Sequence, residues 1–340
     1  MSKASVSNAV LATAVLMHLF VTGCGVQAPA QDEAELRSPA AGIIRFYDIS
    51  NVDVRDVPML IALDALEAQG YTVETTLLSN SSLIAEGLAQ GEADIGLFNN
   101  QTSWNAIHKG AGLRTVAQSV SSTTVFAARK EIESCAGLQG KAVGLANTAG
   151  LSPAVLNLYL QENCPGTEPQ FLVIPESAGR TAALLAGELD AALMPGEELL
   201  KLQQMSRGGF HALYTAGKAY PHILQDGLHV RREWAEENPE IVKDFLRALL
   251  NANRQVRENS QLLYEEAAKR LELDPAVVKP VVDAHLHNGI WDVNGGLTAQ
   301  SVQDTIDFLV EIEKLPEGLK VEEVADLSYL NTVLDEIGRK

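Results

Sequence analysis

Few residues in this 340-residue chain have types and spacings that could support catalysis or metal binding. The nucleophile elbow of hydrolases, G-x-S-x-G, is nearly matched by Gly150-Leu151-Ser152-Pro153-Ala154, but the fifth position is alanine and Pro153 suits the first turn of a helix. A histidine pair, His285 and His287, has metal-ligand spacing, yet no further ligand set accompanies it. HExxH, P-loop and dinucleotide motifs are absent from the sequence. We therefore expect no catalytic residue, metal or cofactor, and an exported enzyme remains an alternative.

The N-terminal residues have the pattern of an export signal. A single lysine precedes an apolar run, Ala9–Val21, that is too short to span a bilayer. The following Val21-Thr22-Gly23-Cys24-Gly25 resembles a bacterial lipobox, in which Cys24 becomes the lipidated (palmitoylated) first residue. An ordinary signal peptide with an unrelated cysteine is the alternative. We predict a signal peptide over 1–23 and a flexible tether over 24–41, so that the protein is exported and lipid-anchored to the cell envelope, facing the periplasm or the exterior.

The two remaining cysteines, Cys135 and Cys164, suit an exported protein. An even pair in an oxidising compartment favours a disulfide, which would close a loop of about 30 residues. Two buried free thiols are the alternative.

The charge balance excludes some partners. The chain has 26 Lys and Arg against 44 Asp and Glu, a formal net charge of -18. A nucleic-acid partner is not expected, because binding to phosphates needs a basic face. Docking on anionic lipid through charge is disfavoured for the same reason. Since no second long apolar segment occurs, we expect contact with a membrane through the lipid anchor only.

The rest of the chain alternates short apolar strands with helical periodicity. The alternation runs over about 43–129 and restarts over about 140–214. Strands separated by helices of this length indicate parallel βαβ units. After residues 228–230 the pattern is almost entirely helical, and 241–256 is strongly amphipathic. The sequence therefore predicts an α/β fold with two lobes and a helical C-terminal extension.

Five short motifs follow one another along the chain. They are LAQGEADIG (88–96), LQGKAVG (138–144), LLAGELDAA (184–192), ENPE with the apolar residues after it (237–246), and WDVNGGLT (291–298). In this order they resemble the solute-binding proteins of ABC importers, in the group that carries sulfonates, nitrate and thiamine pyrimidine precursors. The resemblance covers about residues 42 to 315. It implies a two-lobe periplasmic-binding-protein-like (type II) fold, no enzymatic activity, an ABC permease and ATPase as partners, and a monomer.

By that analogy, lobe 1 comprises 42–135 and is completed by 223–340, which supply a return strand and the C-terminal helices. Lobe 2 comprises 136–222. Ligands of such sheets bind beyond the carboxyl ends of the strands, where helix N-termini expose free N–H groups.

Polar residues occupy the loops after the predicted strands. They form the candidate ligand-binding set, although helix capping alone is the alternative interpretation for each. The candidates are Asp48, Asn51, Ser81, Asn99, Asn100, Thr102, Ser122, Thr123, Thr148, Gly150, Ser152 and Glu176.

Carboxylates near the predicted cleft bear on the solute. Asp48, Asp53 and Glu176 lie near it, whereas the only neighbouring cations are Arg55 and Arg180. Carboxylates favour a solute that is rich in N–H groups or cationic over an anion. We therefore predict a small nitrogen-containing organic solute, such as a pyrimidine precursor of thiamine. A sulfonate, taurine or nitrate is the next choice, and a surface adhesin is an alternative of another class.

Overall fold

The computed structural model describes residues 42–49, 52–148 and 150–340. The predicted signal peptide (1–23), Cys24, the tether (24–41) and Asn51 lie outside the described residues. What the sequence predicts for these residues therefore stays a prediction.

Strands and helices alternate through the first two thirds of the chain, as the sequence predicts. In chain order they are β1 (Ile43–Ile49), α1 (Val57–Ala68), β2 (Thr72–Leu78), α2 (Ser81–Gln90), β3 (Ile95–Asn99), α3 (Asn100–His108), β4 (Leu113–Val120), β5 (Thr124–Arg129), β6 (Ala142–Leu145), α4 (Leu151–Asn163), β7 (Gln170–Val173), α5 (Ser177–Ala186), β8 (Ala191–Pro195), α6 (Gly196–Met205), β9 (Phe210–Thr215), α7 (Ala216–Ala219) and β10 (Asp226–Arg231). The helical C-terminal part follows as α8 (Arg232–Glu237), α9 (Pro239–Glu258), α10 (Ser260–Arg270), α11 (Pro275–Asn288), α12 (Ala299–Glu311), α13 (Val321–Val324) and α14 (Leu327–Ile337).

The strands form two five-stranded sheets, in the orders β2-β1-β3-β10-β4 and β7-β6-β8-β5-β9. In the first sheet β10 runs antiparallel between β3 and β4, and in the second β5 runs antiparallel between β8 and β9. The other pairs are parallel. The predicted α/β architecture with two lobes is confirmed.

The chain passes between the two sheets at two described crossings, 121–123 and 216–225. The sequence analysis placed residues 124–129 in lobe 1, whereas they form β5 of the second sheet. An apolar run in the sequence identifies a strand but not the strands with which it pairs. The position of residues 124–129 before the predicted lobe boundary therefore did not show to which sheet they belong. We propose that lobe 2 begins at this crossing, and the other predicted lobe limits stay as stated.

Each sheet is covered by helices and has its own apolar core. Phe46 of β1 packs against Phe245 of α9 with 5.6 Å between ring centroids, and Phe126 of β5 packs near Tyr214 of β9. Because the central strands are covered on both faces, they read as continuous apolar runs, as over Ile95–Phe98.

The C-terminal helices pack mainly on the first lobe, but two of them reach the second. The long helix α9 packs along α1, whereas α11 contacts α6 of the second lobe. Phe308 of α12 is buried in the core of the second lobe. Among the described helices, none is both long and apolar enough to cross a membrane.

The predicted disulfide is present: Cys135 and Cys164 are bonded, 29 positions apart in sequence. The bond joins the short 3-10 helix Cys135–Leu138 to the residue that ends α4.

Candidate functional site

A polar cavity of about 350 Å³ lies where strands of both sheets end and where the crossing segments pass. We call it the cleft cavity. The first lobe contributes Arg55 and Asn99, and the crossings and their ends contribute Thr123, Thr124 and Gln225. The second lobe contributes Ala146, Asn147, Gly150, Leu151, Ser152, Pro153, Arg180, Leu193, Met194, Pro195 and Glu197.

Two helix N-termini line the cleft cavity. Helix α4 begins after Gly150, and α6 begins after Pro195. The N–H of Gly196, at the start of α6, donates to the carbonyl of Thr123 at 3.1 Å. In α4 the N–H groups of Leu151 and Ser152 have no acceptor among the described residues and keep their capacity to donate. With the helix dipole, such N–H groups favour negative charge.

Arg180 supplies a buried cation with a fixed orientation. Its Nε donates to the carbonyl of Leu193 at 2.8 Å, and its Nη1 donates to the carbonyls of Ile174 and Pro175 at 2.7 and 2.8 Å. Within the part of the chain that the structure describes, Nη2 makes no hydrogen bond and no carboxylate forms an ion pair with Arg180. Burial lowers the pKa of this guanidinium, but an arginine stays charged in proteins. A positive group held by backbone carbonyls is therefore free to bind an anion.

Arg55 differs from Arg180 because it is neutralised. Its Nε donates to both carboxylate oxygens of Asp53 at 3.0 Å, and its Nη2 lies 2.9 Å from Oδ2. Burial opposes the charge of Arg55, but Asp53 keeps the pKa of Arg55 above its ordinary value. The indole Nε1 of Trp291 donates to the Arg55 carbonyl at 2.9 Å, which fixes the backbone of this segment.

Glu197 is the one carboxylate among the described residues that line the cleft cavity. Its Oε2 atom is buried and has no hydrogen-bond partner in the described part of the chain. Burial raises the pKa of Glu197, and Asp53 adds to the effect while Arg55 opposes it. A buried acceptor without a partner is costly, so this oxygen suits an N–H or O–H group of a bound molecule.

Three further carboxylates lie near Arg55: Asp48 is buried, and Asp56 and Asp226 are half-buried. Burial raises the pKa of Asp48 to about 8 and that of Asp56 to about 7, and it also raises the pKa of Asp226. Asp48 accepts a hydrogen bond from the N–H of Ile49 at 2.7 Å, and Asp56 accepts one from the N–H of Asp53 at 2.8 Å. None of the three lines the cleft cavity.

The structure brings four of the predicted ligand residues together in the cleft cavity: Asn99, Thr123, Gly150 and Ser152. Ser122 is close by, because it lines a small adjoining void together with Ser152. Thr148 lies instead in a separate depression against α12.

Asp48, Ser81, Asn100, Thr102 and Glu176 do not line the cleft cavity. The Oγ of Ser81 accepts from the N–H of Asn99 at 3.4 Å, and the N–H of Thr102 donates to the Asn99 side chain at 3.2 Å. The side chain of Asn100 is buried beside Gly227, and Glu176 precedes the first turn of α5. The contact of these residues with the solute stays a prediction. In the described part of the chain the Glu176 side chain does not cap α5 and the Asn100 side chain makes no hydrogen bond, so capping does not account for either position.

Six polar residues of the cleft cavity are missing from the predicted set: Arg55, Thr124, Asn147, Arg180, Glu197 and Gln225. The sequence shows Arg55 and Arg180 as the only cationic residues near the predicted strand ends. Their spacing from those ends does not show whether their side chains turn inward, and Glu197 reads as an ordinary first-turn residue of a helix.

Comparison with known families gives one match by sequence. The model of the family described as NMT1/THI5 like matches residues 66–261, which is more than half of the chain. No curated protein matches the chain.

Solved structures share the fold at low sequence identity. The aliphatic sulphonate binding protein SsuA from Escherichia coli is 17% identical, with a TM-score of 0.65 over 84% of this chain and 92% of that chain. The nitrate-binding protein NrtA from Synechocystis PCC 6803 is 13% identical, with a TM-score of 0.63 over 88% and 90%. A mutant of DszB in complex with biphenyl-2-sulfinic acid is 14% identical, with a TM-score of 0.61 over 87% and 99%. The predicted periplasmic-binding-protein-like (type II) fold is confirmed.

Proposed function

The chain belongs to the NMT1/THI5-like family, and on that premise we propose that it is the solute-binding protein of an ABC-type import system. It captures a small solute between its two lobes and presents it to a permease that an ATPase drives. The similar folds of proteins named for binding sulphonates and nitrate support this proposal. A fold alone hosts many activities, so the proposal depends on the chemistry of the cleft cavity.

The observation that carries the choice of solute is Arg180, a buried guanidinium of the cleft cavity that forms no ion pair within the described residues. Arg180 is held by three carbonyls with Nη2 available, and the N–H groups of Leu151 and Ser152 at the N-terminus of α4 add donors. Of the carboxylates that pointed to a cationic solute, Asp53 is paired with Arg55, and Asp48 and Glu176 lie outside the lining. A small anion with a sulfonate-like or nitrate-like group is therefore the best-supported solute.

A nitrogen-containing solute remains the second candidate, because Glu197 favours it. The buried Oε2 of Glu197 lacks a partner among the described residues and suits an N–H donor. A pyrimidine precursor of thiamine offers such donors. Taurine, which combines an amino group with a sulfonate, would use both Glu197 and Arg180.

Calorimetric titration separates these solutes. We expect methanesulfonate or taurine to bind, and Arg180→Gln to weaken that binding by at least about tenfold, since a hydrogen bond to a charged group contributes roughly 1.5–3 kcal/mol. The matched control is Arg207→Gln, an exposed arginine of the same lobe, which should leave the affinity unchanged. Tight binding of a hydroxymethylpyrimidine, with no response to either sulfonate, would place the second candidate first.

We also propose that the protein does not transform its solute. The near-elbow Ser152 lines the cleft cavity, but no histidine does, and His285 packs edge-on against Trp291. After prolonged incubation, nuclear magnetic resonance should recover the added solute unchanged. A product that accumulates in proportion to protein concentration would establish an enzyme instead.

The lipid anchor is proposed from the sequence of residues 21–25. Attachment at Cys24 would keep the protein at the outer face of a membrane, close to its permease. We expect Cys24→Ser to release the protein from the membrane fraction, and mass spectrometry of the parent's N-terminal peptide to detect acyl chains on Cys24. An unmodified N-terminal peptide from the membrane fraction would contradict the anchor.

A further inference from the structure

A second cavity, of about 600 Å³, lies beside the cleft cavity and has a different chemistry. Its walls are mostly apolar and come from the segment before α1, from α6 and from the α10–α11 hairpin. We call it the apolar recess and define it by Leu271, Leu273, Val277, Val278 and Val281. Its volume falls within the range of small-molecule sites, roughly 300–1,000 Å³.

The apolar recess adjoins the cleft cavity through side chains. Glu197 lines both spaces. Asp53 lines the apolar recess, and its ion-pair partner Arg55 lines the cleft cavity. The boundary is therefore formed by Glu197 and the Asp53–Arg55 pair, and a molecule that occupies both spaces must displace these side chains.

Apart from Glu197, the charged side chains at the apolar recess are already paired. Lys201 donates to Glu198, and Arg270 is bonded to both Glu266 and Asp64. Some of the apolar side chains, by contrast, are not covered by other parts of the described chain: Leu273 is 42% exposed and Val277 is 50% exposed. Uncovered apolar side chains around a concave space favour an apolar occupant.

The apolar recess is also built from both lobes. Helix α6 belongs to the second lobe, and α10 and α11 pack with the first. A hinge motion that closes the cleft cavity would therefore also change the width of the apolar recess. An occupant that spans both spaces would be enclosed in one movement.

We propose that the apolar recess is a second subsite for the solute itself, and that it holds a hydrocarbon or aromatic arm whose polar head binds in the cleft cavity. This inference rests on the proposed function and narrows it to amphiphilic solutes. The wall that the two cavities share at Glu197 is the reason to assign the space to the solute rather than to another protein.

Chain length is the variable that tests the proposal. Calorimetry with methanesulfonate, butanesulfonate and octanesulfonate should show an affinity that rises about threefold to fourfold for each methylene that enters the apolar recess. Val277→Trp should fill the apolar recess and abolish that gain, while methanesulfonate binds as before. Val173→Trp is the matched control, because Val173 is 53% exposed on β7 and lies outside both cavities. A thermal melt confirms that both variants fold.

The outcomes separate the inference from the function on which it rests. Equal affinity across the three sulfonates, or a gain that survives Val277→Trp, overturns the apolar subsite and leaves the proposed function intact. Binding of octanesulfonate that responds to Val277→Trp but not to Arg180→Gln overturns it too, since the apolar recess would then be an independent site. If no sulfonate binds, the anionic solute class fails and the inference fails with it.

Discussion

Asp48 is a buried carboxylate that links the stability of this protein to pH. Burial raises the pKa of Asp48 to about 8, with Asp56 adding to the effect, whereas the unfolded group has the ordinary value of 3.8. Between these values the folded protein keeps a proton that the unfolded chain has lost. Stability from this group is therefore complete at low pH and falls as the pH rises from about 4 to 8.

We predict that Asp48→Asn stabilises the protein at pH 9 and leaves it nearly unchanged at pH 4. The amide oxygen can still accept from the N–H of Ile49, and no charge has to be buried. Each unit of pKa is worth about 1.4 kcal/mol, so the gain at pH 9 amounts to several kcal/mol. Urea unfolding across this range measures it, with Asp335→Asn at an exposed position as the control. A gain that is the same at pH 4 and pH 9 would contradict the assignment.

His229 also links stability to pH, but it lowers the stability of the protein at acidic pH rather than at alkaline pH. Burial lowers its pKa to about 3, although its bond to the carbonyl of Phe98 at 3.1 Å opposes the shift. Its other ring nitrogen meets the hydroxyl of Thr115 at 3.1 Å, and that hydroxyl accepts from Trp104 at 3.0 Å. The folded protein thus keeps a neutral histidine, and this stability is lost as the pH falls from about 6.5 towards 3.

At the scale of elements, the two crossings approach each other closely. A Cβ atom on Gly217, in α7, would lie 2.6 Å from the carbonyl oxygen of Ser122. The N–H of Gly217 donates to that oxygen at 3.2 Å. A glycine here therefore allows the contact that joins the two crossings.

Gly217→Ala should destabilise the protein by about 1–3 kcal/mol, because a backbone atom must move, even though alanine favours a helix. It should also weaken solute binding, since Ser122 lies next to the cleft cavity. Gly112→Ala is the control: nothing lies within 4 Å of its added Cβ, and its stability should stay within about 1 kcal/mol of the parent. Denaturant unfolding and calorimetry measure both effects. Equal stabilities for the two variants would show that the backbone of the crossings can move apart at little energetic cost, which would contradict the prediction.

The disulfide constrains the loop that holds β6 and α4. Replacing both Cys135 and Cys164 by serine should lower the free energy of unfolding by about 3 kcal/mol, because the unfolded chain gains conformational freedom. Reductant should destabilise the parent by a similar amount and leave the double variant unaffected. A double variant as stable as the oxidised parent would show that the bond contributes little.

For the whole molecule, the main expectation is closure around the solute. The cleft cavity has walls from both lobes and from both crossings, so a solute that contacts all of them binds the closed form best. Small-angle scattering should give a smaller radius of gyration with saturating methanesulfonate than without it. Arg180→Gln at the same concentration should show a smaller change. An unchanged radius in the parent, at a concentration where calorimetry shows saturation, would contradict closure.

Local patterns in the sequence were sufficient to predict most helices and strands and the α/β class of the fold. The polar cap cluster at 79–82 and Gly91 predict a helix over 81–90, and α2 has these bounds because its capping residue and its terminal glycine act locally. The order of βαβ units likewise predicts that polar loops follow the strands, and Asn99 and Ser152 do line the cleft cavity.

The strand partners, and the ionic partners of the two arginines in the cleft cavity, could be read from the tertiary structure alone. Residues 124–129 read as a strand in either lobe, and their pairing with β8 and β9 is made between distant segments. Arg55 and Arg180 look equivalent in sequence, yet Arg55 is neutralised by Asp53 while Arg180 is held by carbonyls. Pairing and desolvation act through space, so the order of residues along the chain does not encode them directly.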